Sequence, residues 1–162
     1  MKTFMKTTIA AALSFAAVSP AFAGEQEIVV QSQAAMQEWQ QDVGNALDRR
    51  LVSAARQTRT DTVSGIVQLR FTLDGAGMPQ NIEVVNSSGD GRTDFVAKRA
   101  VRGLTQLADA PVVEAESQTF QANIIFADNA DSHKKLAKAL TASEQARFAR
   151  ADSESSVISF GL

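Results

Sequence analysis

Cysteine and tyrosine are absent from this 162-residue chain, and histidine and tryptophan occur once each. Without cysteine there are no disulfides and no thiolate metal sites, so stability must come from a hydrophobic core. The single histidine, His133, stands beside Lys134 and Lys135, with no second imidazole to help build a metal site and no evident triad partner. Three prolines are too few for a Pro-rich spacer. Basic residues do not exceed acidic ones, 16 against 18, which argues against a nucleic-acid-binding face. Beyond the first two dozen residues no apolar run approaches the length of a membrane span.

What is present begins with MKTFMKTTIAAALSFAAVSPAFAG. Lys2 and Lys6 precede an Ala-rich apolar stretch, Ile9 to Val18, and then Ser19, Pro20 and the small-residue triplet Ala21-Phe22-Ala23. That order is the basic, apolar and cleavage-site sequence of a secretory signal peptide. Residues 1–23 are therefore expected to be removed, which places the protein in the periplasm. Without Lys2 and Lys6 the 16 basic residues become 14 against 18 acidic ones, a net charge of −4. Export without disulfides suits a bacterial periplasm when the core is adequate.

The remainder divides by pattern. Residues 24–33 are a polar lead-in, expected to be flexible. Met36, Trp39, Val43, Leu47, Leu51 and Ala54 then recur at steps of three and four, the stripe of an amphipathic helix of about 20 residues. VSGIVQLRFTL switches to period two, with Val67, Leu69, Phe71 and Leu73 on one face and Gln68, Arg70 and Thr72 on a wet one. Asp74-Gly75-Ala76-Gly77 supplies a hairpin turn, and NIEVVN forms the second strand. A helix over Asp94 to Leu104 follows, with Phe95, Ala97, Ala100, Val101 and Leu104 expected to be buried. QTFQANIIFA alternates again as a third strand. Residues 34–127 thus read as an α+β domain in α-β-β-α-β order, a three-stranded antiparallel sheet with helices on one face. Residues 128–162 read as a helical extension, restarted by the capping-box pattern Thr141-Ala142-Ser143-Glu144, and a loose tail.

Few residues are candidates for chemistry. The corner Ser87-Ser88-Gly89-Asp90-Gly91-Arg92-Thr93 lacks the spacing and the lysine of a phosphate-binding loop, and Asp90 and Asp94 would repel an anion. Ser87, Ser88 and Gly89 are therefore a structural turn, with Thr93 or Asp90 capping the helix. Asp109, Glu114 and Glu116 read as a solvated loop. Asp128-Asn129-Ala130-Asp131 lacks the glycine and the final glutamate of a calcium loop. Lys98, Arg99 and Arg102 read as a solvated helix face. No catalytic residue, metal site or cofactor is expected.

The feature left over is a sheet border. An edge strand offers unpaired N–H and C=O groups to any extended visitor. The third strand, with Thr119, Gln121, Asn123 and Ile125 on its polar side, is the expected partner-binding edge.

The block Gly65-Ile66-Val67-Gln68-Leu69-Arg70-Phe71, a Gly-containing turn, and Ile82-Glu83-Val84-Val85-Asn86-Ser87-Ser88-Gly89 resembles the carboxy-terminal domain of TonB and TolA-type envelope proteins. Asp94, Ala97, Ala100 and Val101 fall where that family shows Asp, Ala, Ala and Val. The likeness spans about Trp39 to Phe126. It implies a periplasmic protein-interaction domain that grips an extended partner segment by strand addition. The chain departs from the family in its cleavable-looking start and in lacking a long spacer. The expectation is a non-enzymatic module with a protein partner in the periplasm or outer membrane. The same edge is open to a second copy, giving a homodimer. The alternative is an anchored energy transducer serving outer-membrane receptors, with the N-terminal apolar segment retained.

Overall fold

The structure is a computed structural model that describes residues 23–150 and 157–161, with side chains described over 33–149 and 157–161. The signal-peptide segment lies, but for Ala23, outside the described residues. The elements are α1 (Ala23–Thr58), β1 (Gly65–Leu73), β2 (Pro79–Asn86), α2 (Gly91–Arg102), β3 (Phe120–Phe126), α3 (Ala130–Arg150) and β4 (Ile158–Phe160). None of the described helices is long and apolar enough to cross a membrane.

The stripe on α1 works as its spacing demands. Trp39, Val43, Ala46, Leu47 and Ala54 are buried, with Met36 and Leu51 packed at the margin. Helix α1 also takes in the segment expected to be a flexible lead-in. Opposite it, Val67, Leu69, Phe71 and Leu73 of β1 and Phe120, Ala122 and Ile124 of β3 bury the matching face of the sheet. The hairpin is closed by Asp74, whose Oδ1 accepts from the N–H groups of Ala76 and Met78, both at 2.9 Å. Gly77 has φ +74°, and a Cβ there would lie 2.4 Å from Cβ of Ala108, so only glycine fits this turn.

The α+β class holds, but the sheet is larger and mixed. Its order is β2-β1-β3-β4. β1 pairs antiparallel with both β2 and β3, whereas β4 joins β3 in parallel. The tail expected to be loose therefore supplies a strand, and Phe160 enters the core, only 4% exposed.

The helices also differ from a one-faced arrangement. α1 and α2 cover the apolar face, and α3 lies across the other, with Leu140 and Glu144 buried against it. α3 runs unbroken through the expected restart, because Thr141 donates its hydroxyl to the Ala137 carbonyl at 2.9 Å instead of capping a new helix. In α2 the buried side is Thr93, Val96, Ala97, Ala100 and Val101; Phe95 points outward, 52% exposed. Thr93 sets this rotation: it is fully buried and its Oγ1 accepts from the N–H of Val63 at 3.0 Å.

Candidate functional site

The corner between β2 and α2 is built as scaffold. Asp90 is the N-cap of α2, accepting from the Thr93 N–H at 2.8 Å. Asp94 turns back and accepts from the Ser88 N–H at 3.0 Å, from the Ser88 hydroxyl at 2.8 Å and from the Ser87 hydroxyl. The backbone amide of Thr93 and the Thr93 hydroxyl hold the Asp90 carboxyl below its ordinary range. Burial pushes Asp94 up, but hydrogen bonds from Ser87 and Ser88, with Lys98 nearby, outweigh it and leave the carboxyl lowered. The donors that an anion would need at Ser88 and Thr93 are already committed to these two carboxylates.

Among the described residues no group of three or more His, Cys, Asp or Glu side chains is placed to hold a metal ion. Asn129, from the stretch that superficially resembles a calcium loop, starts α3 instead, its Oδ1 accepting from the Ser132 N–H at 2.9 Å.

The polar side of β3 is not a wet surface. Gln121 and Asn123 are 1% and 2% exposed beneath α3. Gln121 Nε2 donates to Asn123 Oδ1 and to Glu144 Oε1, both at 3.0 Å, and Gln68 Nε2 from β1 donates to the same two oxygens at 2.8 and 2.9 Å. Arg70 Nε donates to Gln121 Oε1 at 3.0 Å. Burial alone would raise the Glu144 carboxyl, but hydrogen bonds from Arg147, Gln68 and Gln121 outweigh it and hold the carboxyl below its usual range. Arg147 pairs with Glu144 at 2.8 Å and reaches Ser159 Oγ at 3.3 Å, so one polar layer joins β1, β3, α3 and β4. Asn123 Nδ2 is buried with no hydrogen-bond partner among the described residues.

The outer border of β3 is partly occupied by the chain itself. Phe120, Gln121 and Ala122 pair with Ile158, Ser159 and Phe160. The Ile158 N–H donates to the Thr119 carbonyl at 3.0 Å, which turns the backbone groups of Thr119 toward β4. By alternation those of Gln121, Asn123 and Ile125 face the same way. The expected edge residues therefore do carry the outward backbone groups, but β4 takes up the first half of them. Past Ala122 no described strand pairs with the outer side of β3.

At that point a groove of about 380 Å³ opens between α1 and the unpaired half of β3, lined by Gln40, Gly44, Leu47 and Leu51, by Ile125, and by His133 of α3. Gly161 stands at its mouth with φ +81°; a Cβ there would come within 2.6 Å of the Asn123 carbonyl oxygen. β4 itself is gripped at both faces. Phe160 lies edge-on to Trp39 and Phe71, centroids 5.9 and 6.2 Å away, and Gln40 Nε2 donates to the Ser159 carbonyl at 2.9 Å.

The opposite border, β2, carries the devices that discourage strand addition. Pro79 begins it, Asn81 has φ +54°, and the register against β1 shifts twice.

Sequence reasoning placed the backbone of this site and missed its occupant. Ile158-Ser159-Phe160 is too short for periodicity to mark, and its one signal is the apolar-polar-apolar alternation itself. No family model, no curated protein and no solved structure matches this chain.

Proposed function

We propose that the protein is an exported protein-interaction module, TonB/TolA-like in its Ser-Ser-Gly to helix block, that takes up an extended segment of a protein partner along the outer side of β3. One observation carries this reading: the domain already holds such a segment, Ile158–Phe160, in parallel register at that border. A strand only three residues long forms little of a sheet by itself, so side-chain capture must do most of the holding. The slot supplies it through the aromatic box around Phe160 and the polar contacts to Ser159. The open groove beyond Gly161 gives a longer visitor room along Asn123, Ile124 and Ile125. A partner segment would therefore carry an aliphatic residue, a small polar one and an aromatic one in succession, and it would either displace β4 or extend the line that β4 begins.

A synthetic peptide of the chain's own residues 156–162, labelled and added to the full-length Phe160→Ala variant, tests the slot. Saturable binding to the variant, weak binding to the unaltered protein, and loss of binding when the peptide's phenylalanine becomes alanine are expected. A folded variant that ignores the peptide sinks the reading.

A further inference from the structure

A second groove lies on the far side of α1, where it crosses the C-terminal end of α2. It is about 250 Å³ in volume, and three arginines line it: Arg50 from α1, and Arg99 and Arg102 from α2. Ser53, Gln57 and Gly103 complete its polar rim, and neither aspartate nor glutamate lines it. In a chain whose acids outnumber its bases, three arginines around one depression without an acidic side chain in its lining make a local concentration of positive charge.

Two of the three guanidinium groups are placed by neighbours. Arg99 Nη2 donates to Gln57 Oε1 at 2.9 Å. Arg50 lies across Gly103, where a Cβ would stand 3.4 Å from its Nη1 and 3.5 Å from its Cδ. That spacing is ordinary van der Waals contact, so the Arg50 side chain rests against the end of α2. Neither Arg50 nor Arg102 makes a hydrogen bond or ion pair with a described residue.

The negative end of the α2 dipole accounts for basic residues in its last turn. It does not use their donors: the carbonyls of Ala100 and Val101 are already met by the N–H groups of Gly103 and Leu104, at 3.1 and 3.0 Å. Arg50 and Arg102 therefore keep their forks of N–H donors for an external acceptor, and Arg99 keeps the N–H groups that Gln57 does not take. Such forks match the oxygens of a phosphate two at a time, and three positive charges suit a dianion better than a single carboxylate.

We propose that this groove binds a phosphate ester, carried either by a small soluble molecule or by a phospholipid headgroup. The site is independent of the β3 border: it lies between α1 and α2 and shares none of the lining residues of the groove beside β3.

The experiment is an amide-resonance titration of the full chain at low salt with inorganic phosphate and with glycerol phosphate, alongside co-sedimentation with phosphatidylglycerol and phosphatidylcholine vesicles. Saturable shifts centred on Arg50, Gln57, Arg99 and Gly103 are expected. The double variant R50Q/R102Q should weaken phosphate binding by roughly tenfold or more, whereas Arg49→Gln, an exposed arginine outside the groove, should not. Retention on phosphatidylglycerol but not phosphatidylcholine, lost in R50Q/R102Q, assigns the headgroup source; response to the soluble esters alone assigns the other. Three results overturn the proposal: no localised shift with either phosphate, the same shifts from chloride at matched ionic strength, or equal weakening by Arg49→Gln. Should the double variant fail to fold, the unaltered protein's shifts and the single variant Arg102→Gln decide.

Discussion

Phe160 meets Trp39 edge to face, ring centroids 5.9 Å apart and planes inclined at 74°. Phe71 and Phe120 complete the cluster, stacked on each other at 5.8 Å. Edge-to-face pairs of this kind add to the stabilisation from burial alone. The contact fastens the end of the described chain to the first long helix, and it holds β4 against the first half of the border that β3 would otherwise present.

Replacing Phe160 with alanine should cost about 3–5 kcal/mol, the usual loss for a large aromatic removed from a packed core. The loss should be local in character. Hydrogen exchange should quicken at the outward amides of β3, Gln121 and Asn123, while the amides that pair with β1 stay protected. Chemical denaturation gives the first quantity and exchange mass spectrometry the second. Uniform loss of protection across the sheet would show that β4 is inseparable from the rest.

Glu144 should make stability depend on acidity. Its carboxyl is lowered in the folded protein, so it stabilises the fold fully above the ordinary glutamate range, and this contribution is lost as pH falls through the folded value. Asp90 and Asp94 shift in the same direction, so the comparison must be with a variant. Glu144→Gln should be less stable than the parent at neutral pH, and the gap should narrow below about pH 4. Urea titrations at several pH values measure it. A gap independent of pH would mean that Glu144 acts through shape alone.

Glu144→Ala should be worse than Glu144→Gln. It leaves the Nε2 groups of Gln68 and Gln121 without their Glu144 oxygen, and each keeps only Asn123 Oδ1. A penalty of about 1–3 kcal/mol follows for the lost buried acceptor. Thermal unfolding of the two variants side by side ranks them.

Gly77→Ala should destabilise the hairpin by more than about 1 kcal/mol, because the left-handed backbone is strained for alanine and the new methyl collides with Ala108. Gly44→Ala is the control, since a Cβ there meets nothing within 4 Å. Placed in the interior of α1, that change should be neutral or stabilising.

Asp90→Ala removes the N-cap of α2 and should cost about 0.5–2 kcal/mol. Phosphate binding at the arginine groove, at the other end of the same helix, should be unaffected in the folded variant. A resonance titration of this variant checks that the two ends are uncoupled.

The stripe from Trp39 to Ala54, the alternation in β1 and β3, and a capped corner with Thr93 or Asp90 as its cap are legible in the sequence. Each rests on contacts between residues a few positions apart, or on a face that any core would cover. Spacing alone puts Phe95 on the apolar side of α2 with Ala97, Ala100, Val101 and Leu104, whereas the rotation of the helix follows Thr93 and its bond to Val63. The wet face of β3 was misread for a related reason. Gln121 and Asn123 look solvated until Glu144 arrives from α3 to accept from Gln121 and Gln68, while Asn123 serves both as acceptor.

Local spacing therefore determined the helices, strands and hairpin turn between Trp39 and Phe126, since those choices are made by backbone hydrogen bonds and side chains within a few residues. Tertiary structure alone decided that a polar sheet face is roofed, that a three-residue strand fills half a border, and that three arginines from two helices share one groove. Those outcomes depend on groups distant in the chain whose mutual attraction exists only once the layers are stacked.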